Sequence, residues 1–447
     1  MLDRRELLQA GCSSFLGIGL SGLLQRQAIA AAHEARAKSV VLVFLSGGGS
    51  HIDMFDPKPD APETKGEFEP IATRVPGLHF TEMMPMMADR ADRLTVVRSM
   101  SHKDNRHLSG SHNTLTGSIQ PFRGDSNQDK SLNRDDWPCY GGAVESLRPT
   151  SDGSPAQVTI PVPLNEGALI WPGQHAGFLG AKHDPLQVNS DPNEESFAVR
   201  GLDLTEGLSV GRLDRRWQLL NSSIERERHL DSSHHTRQFG DNQEAAFSLL
   251  TSSKLSRAFQ IETEPTEVRE RYGRSRMGQT LLLARRLVEA DVPVVQCNMG
   301  HVQIWDTHVN HFPRLKNELL PPLDQGVSVL LDDLTDRGLF DQTLVIVVGE
   351  FGRTPSISPL AGESVPGRHH WAPAYSAVFA GAGVRGGQVI GATDDIGAYP
   401  ITKSYHPNDL GATVYHSLGI DPHTMITDRL GRPISLNQGK VMSVLFG

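Results

Sequence analysis

Cysteine is scarce in this chain: three residues in 447, at Cys12, Cys139 and Cys297. Cys12 lies within an N-terminal apolar segment, so the body of the chain keeps only Cys139 and Cys297. Two residues so far apart supply neither a disulfide framework nor a thiolate metal cluster; only a single bridge stays open. Basic charge is short as well. Asp and Glu number 52 against 43 Lys and Arg, a net charge of −9, which argues against a nucleic-acid partner. No apolar run suits a stable membrane span, because the stretch from Gly11 to Leu24 is broken by Gly11, Gly17, Gly19, Ser21 and Gly22. No internal repeat is visible. Histidine, by contrast, is abundant at 19 residues, many clustered with Asp, Gly and Ser. Such clusters at loop positions are candidates for metal or acid–base chemistry. His229, His234 and His235 read as solvated loop residues.

The N-terminus carries a twin-arginine pattern, Asp3-Arg4-Arg5-Glu6-Leu7-Leu8, then the weakly apolar segment and small residues at Ala28, Ala30, Ala31 and Ala32. This reads as an export signal over residues 1–32, which would place the protein in the periplasm or otherwise outside the cytoplasm. Twin-arginine export carries folded proteins, often with cofactors already loaded. Lipid attachment at Cys12 is disfavoured, since Gln9 stands where Leu is wanted. The plainer alternative is an ordinary amphipathic first helix.

Beyond the signal, residues 33–447 read as one α/β domain. Ser39 to Leu45 is a continuous apolar, β-branched run, as expected of a strand buried on both faces. It ends in Ser46-Gly47-Gly48-Gly49-Ser50, whose glycines allow close backbone approach. A helix is expected over Phe80–Arg93, a strand over Leu94–Arg98, and a helix from His107 to Leu115 closed by Thr116-Gly117. Residues 120–200 are rich in Pro, Gly, Asp and Asn, with a short strand near Val158–Ile160, and read as an excursion from the sheet. Residues 212–260 are helical by periodicity. The helix Met277–Ala290 feeds the strand Val292–Cys297, and a helix over Leu315–Arg337 feeds the strand Thr343–Val348. A strand at Ala374–Phe379 and a helix at Pro407–Leu418 close the chain. Strands alternating with helices predict a mostly parallel, helix-covered sheet, with an insertion at about 120–275.

Polar clusters follow the predicted strands, where open α/β sheets bind ligands. The first is Gly47-Gly48-Gly49-Ser50-His51-Ile52-Asp53, the second His107 with Ser109, Ser111 and His112. The third is Trp305-Asp306-Thr307-His308, and the fourth Glu350 and Arg353 with His369 and His370. Asp306, His308, Glu350 and His370 offer the oxygen and nitrogen donors that suit zinc, manganese or another hydrolytic metal. His107, at a helix N-terminus, would face a bound anion. Arg353 is a candidate bidentate clamp for phosphate or sulfate; its structural alternative is an ion pair with Glu350 or Asp306. His51, Asp53 and His369 are further candidates. Asp56 belongs to the turn Asp56-Pro57-Lys58-Pro59, His112 reads equally well as facing solvent, and His301 and His311 read as loop residues.

These residues resemble the alkaline phosphatase–sulfatase superfamily: a first strand, a nucleophile-bearing helix ending in Thr-Gly, and a late strand leading to a metal-binding Asp. The nucleophile of that superfamily lies ten residues before the Gly, which here is His107 relative to Gly117. More specifically, Gly47–Pro59, Trp305–His308, Glu350–Pro355 and Gly367–Trp371 resemble an uncharacterised family of exported bacterial proteins, domain of unknown function 1501, grouped in the same superfamily. The resemblance covers nearly the whole chain from Ser39. It implies a three-layer αβα sandwich with a mostly parallel central sheet and a family-specific insertion. It also implies a divalent metal ion (zinc, manganese or calcium) and hydrolysis of a phosphate or sulfate ester, on a small molecule or a polysaccharide. The chain departs from the pattern in places. Ser46 and Gly47 replace the first-strand Asp, Glu350 and Phe351 replace a metal-binding pair, and His369 replaces an Asp. A single-metal site is therefore expected in place of two metals. The alternative is a non-catalytic exported protein on the same fold, binding an anionic ligand or other envelope proteins.

Overall fold

The computed structural model describes residues 35–119, 133–150, 153–199 and 253–447, with Cys12–Ser13, Ile18–Gly19 and Arg215 besides. The segment read as an export signal, residues 1–32, therefore lies outside the described residues apart from that short antiparallel ribbon. The helical reading of 212–260 lies outside them too, except for Arg215 and the helix Ser253–Phe259.

One sheet organises the molecule. Its strands are β1 (Ser39–Phe44), β2 (Leu94–Met100), β3 (Gln157–Ile160), β4 (Leu186–Gln187), β5 (Val294–Asn298), β6 (Thr343–Val348), β7 (Tyr375–Ala380) and β8 (Gln388–Ile390). They lie in the order β4-β3-β5-β1-β6-β7-β2-β8. β7 is antiparallel to both β6 and β2, while the other pairings are parallel. Every residue of the central strands β1 and β6 is buried, which is why both read as unbroken apolar runs. Alternate residues feed separate cores. Val41, Val43, Val345 and Val347 pack with α3 (Arg276–Glu289) and α4 (Leu320–Asp336) through Leu281, Leu287, Leu323 and Leu330. Val40, Leu42, Phe44, Leu344 and Ile346 pack with α1 (His107–Thr116), α2 (Tyr140–Leu147) and α5 (Pro407–Ser417) on the other face. The sheet is thus covered by helices on both sides. Among the described residues no helix is long and apolar enough to cross a membrane.

The structure differs from the sequence reading in several elements. The stretch Phe80–Arg93 is not one helix. His79–Thr81 pairs with Pro70–Ala72, and a single turn begins only at Pro85, followed by a 3₁₀ turn at Ala91–Arg93. Proline has no N–H to give a helix interior, so it starts the turn. β3 is no excursion: Val158 pairs with Val295 on one side and Leu186 on the other, inside the main sheet. The expected helix from Leu315 opens with a π-helical turn, Leu315–Leu319, and becomes regular at Leu320, where Pro321 and Pro322 occupy the first turn.

These connections place the site. β1, β2, β5 and β6 run in one direction, so residues after Phe44, Met100, Asn298 and Val348 emerge at the same edge. The segment after β6 stays there, pairs Gly352–Arg353 with His370–Trp371 in a small ribbon, and re-enters the sheet as the antiparallel β7. His107 is the first residue of α1, so it stands at that edge too.

Candidate metal centre

Asp306 is the hub of the carboxyl-edge cluster. Its Oδ1 lies 3.0 Å from His308 Nε2, 3.1 Å from His370 Nε2 and 2.6 Å from Arg353 Nη2. The two imidazole Nε2 atoms are themselves 3.0 Å apart. One carboxylate oxygen and two imidazole nitrogens thus form a near-equilateral triangle. Zinc bonds of about 2.0–2.1 Å in tetrahedral geometry space their ligand atoms roughly 3.3 Å apart. The donor set and its spacing therefore fit a divalent ion. His107 extends the set, since ligand atoms of His107, Asp306 and His370 all lie within 4.8 Å of one another. The outer ring nitrogens are held, as ligand imidazoles usually are: His370 Nδ1 contacts the Asn105 carbonyl at 2.7 Å, and His308 Nδ1 contacts His369 Nδ1 at 2.7 Å. His369 in turn reaches Ser358 Oγ at 3.0 Å, so it stands outside His308 and not in the triangle.

His107 is held from both ends. Nε2 faces Asp306 Oδ2 at 3.1 Å and Nδ1 faces Glu350 Oε1 at 2.8 Å. Rings of Trp171 and Phe351 stand 5.4 and 5.2 Å from its centroid. Burial alone would lower the His107 pKa, but hydrogen bonds to Asp306 and Glu350 outweigh it and carry it up to about 9. The Asp306 carboxyl also resists burial, and the surrounding imidazoles with Arg353 hold it well below the usual carboxylate range. Burial lowers His370.

Glu350 is not beside the other proposed ligands. It is fully buried behind His107, and Oε1 also accepts the Gly47 N–H at 2.8 Å. Its Oε2 makes no hydrogen bond among the described residues. Gly47 permits this because its φ is +113° and a Cβ there would lie 2.4 Å from Asp306 N. Phe351, standing where the resemblance wants a second metal ligand, packs on Gly48, whose Cβ would meet its ring at 2.6 Å.

Arg353 corrects the expectation of an anion clamp. The side chain is fully buried and its donors are committed. Nε donates to Gly48 O at 2.9 Å, Nη1 to Arg368 O at 3.2 Å, and Nη2 to Trp305 O at 3.1 Å and to Gly47 O. With the Asp306 pair added, no fork faces solvent. The alternative ion pair is what the chain forms, and Arg353 fixes Asp306 in place.

The first-loop candidates are also displaced from the cluster. Asp53 is buried in an ion pair with Arg368 and a contact to His311. His51 reaches the Gly397 carbonyl through Nε2 at 2.8 Å, and its other nitrogen lies against Gly352. His112 faces the interior with no exposure, and burial pushes its pKa down to about 4. His311 is buried, not a loop residue in solvent, whereas His301 is exposed. Asp56 does not open a turn over Asp56–Pro59: the turn there spans residues 52–55, and Asp56 follows it, buried against Arg98, Lys58 and Thr393. Sequence reasoning missed His102, whose Nε2 lies 2.6 Å from the Glu350 carbonyl oxygen, together with Trp171 and Arg368. Arg368 was within reach, since it sits two residues before His370 in the last motif. Nothing in the sequence signals Trp171.

Residues 37–446 match the family described as "Protein of unknown function (DUF1501)". The chain belongs to that family. Among solved structures, this DUF1501 protein is similar to a phosphonate monoester hydrolase from Silicibacter pomeroyi at 10% identity, covering 93% of this chain and 77% of the other, with a TM-score of 0.40. A sulfatase from Pseudoalteromonas sp. shows 10% identity, 89% and 72% coverage and a TM-score of 0.37. Alkaline phosphatase from the Antarctic bacterium TAB5 shows 14% identity, 86% and 98% coverage and a TM-score of 0.34. No curated protein matches the chain.

Proposed function

We propose that this DUF1501 protein is an exported, metal-dependent hydrolase of phosphate or sulfate esters, on an alkaline phosphatase-like αβα sandwich. The supporting observation is the triangle of Asp306, His308 and His370, with donor atoms 3.0–3.1 Å apart and His107 adjacent. Two imidazoles and a carboxylate suit zinc or manganese better than calcium, which prefers an all-oxygen shell. A bound ion would act as a Lewis acid toward an ester oxygen. The chain's own part is proton handling. Buried Glu350, on Nδ1, fixes the His107 ring and turns Nε2 to the site side, where a bound ion would drive off the proton it carries in the metal-free chain. An imidazole so backed is suited to take the proton of an attacking water. Arg353, Gly47 and Gly48 keep Asp306 and Glu350 in register. The substrate would be an anionic small molecule or polysaccharide ester, reached outside the cytoplasm after twin-arginine export. Phe351 on Gly48 supports one ion in place of two.

The test is turnover of 4-nitrophenyl phosphate and 4-nitrophenyl sulfate by purified protein. Hydrolysis of at least one, abolished by a chelator and restored by zinc or manganese, is the expected result. Stoichiometric metal with no turnover of either ester would favour the second reading, an exported binding protein with the same centre.

A further inference from the structure

Asp53 lies outside the triangle, yet the two loops that form it are tied together on its carboxylate. Oδ2 accepts from Arg368 Nε at 2.7 Å and from His311 Nε2 at 2.8 Å, and Oδ1 accepts from Arg368 Nη2 at 3.1 Å. With the His311 Nε2 proton directed at Asp53, its Nδ1 is left to accept the Thr307 hydroxyl at 2.6 Å. Thr307 sits between Asp306 and His308. Arg368 precedes His370 by two residues and also donates to Thr354 O at 3.1 Å and Thr64 O at 2.6 Å. Between these anchors the two backbones touch: a Cβ on Gly367 would lie 2.2 Å from the His308 carbonyl oxygen. Asp53, His311 and Arg368 are all essentially without exposure, so solvent does not relax this arrangement.

We infer that Asp53 is a positioning residue for the metal centre: through His311–Thr307 and through Arg368 it fixes the spacing between the Asp306–His308 loop and the strand carrying His370. This rests on the metal-centre reading above. Ligand-orienting groups of this kind change metal affinity by about 10–100-fold when removed.

The experiment uses cobalt(II) as the probe, titrated into metal-free full-length protein and followed by its visible absorption. Thr307→Val deletes only the hydroxyl on His311 and leaves the Asp53–Arg368 pair intact. Cobalt affinity should fall by about 10–100-fold and the band should shift, whereas Thr307→Ser should restore both. Asp53→Asn should lose more; if it fails to fold because Arg368 is left uncompensated, the threonine pair still decides. Parent-like affinity and spectrum in Thr307→Val would overturn the inference alone. A parent chain that takes up no cobalt would overturn both this inference and the metal-centre reading.

Discussion

Replacing His107 with glutamine lowers kcat for an activated aryl phosphate by about 10²–10⁴-fold, the usual span for removing a general acid or base. Glu350 is buried and reaches solvent nowhere, and its Oε1 lies 2.8 Å from His107 Nδ1. The other nitrogen is thereby turned toward Asp306 and the site. Glutamine puts its amide near the Nε2 position and leaves Glu350 Oε1 the Gly47 N–H, but it can neither take up nor carry a proton. KM should change little, because the group's part is to take up a proton in the reaction and not to hold the ester. The check is steady-state kinetics beside circular dichroism on the same preparation. Unimpaired turnover in a folded His107→Gln protein would remove His107 from the chemistry.

Metal affinity should climb steeply with pH. In the metal-free chain the His107 pKa is raised from 6.5 to about 9, so the imidazole is cationic at neutral pH. A divalent ion at Asp306 competes for the carboxylate that stabilises this cation and repels it directly. Binding therefore expels the proton. Below about pH 9 the affinity should rise by up to roughly tenfold per unit. His370, lowered by burial, is already neutral above 6.5 and adds nothing there. The sign for stability is opposite in the metal-free protein. A raised histidine pKa gives stabilisation that is complete below 6.5 and lost as pH rises through about 9. The amount is on the order of 3 kcal/mol. Calorimetric titration with zinc in two buffers of different ionisation enthalpy should show close to one proton released at neutral pH. Affinity flat between neutral pH and 9 would show that His107 is not linked to the ion.

What the sequence revealed, and what it hid, divides along physical lines. β1 and β6 were legible because both faces of each are covered, so the five buried residues that follow Ser39 and Thr343 are all apolar. Asp306, His308 and His370 were legible as a set because polar residues just after parallel strands share one edge of the sheet. The role of Arg353 was legible only as one of two readings, the ion pair with Asp306 beside the anion clamp. Its donors end on carbonyls of Gly47, Gly48, Trp305 and Arg368, and backbone acceptors leave no mark in side-chain identity. Glu350 looked like a ligand for the same reason: its distance behind His107 depends on the turn at Gly47. The Phe80–Arg93 stretch misled because its first two residues pair with Pro70 and Ile71 and Pro85 starts a separate turn, neither of which local periodicity records.

The most direct measurement is metal content per chain in the full-length protein purified with zinc or manganese present. One equivalent should be found in the parent and in His301→Ala, an exposed histidine outside the cluster. Both His308→Ala and His370→Ala should lose it while remaining folded. A folded parent that holds no metal, or retention of the full equivalent in both triangle variants, would contradict the account.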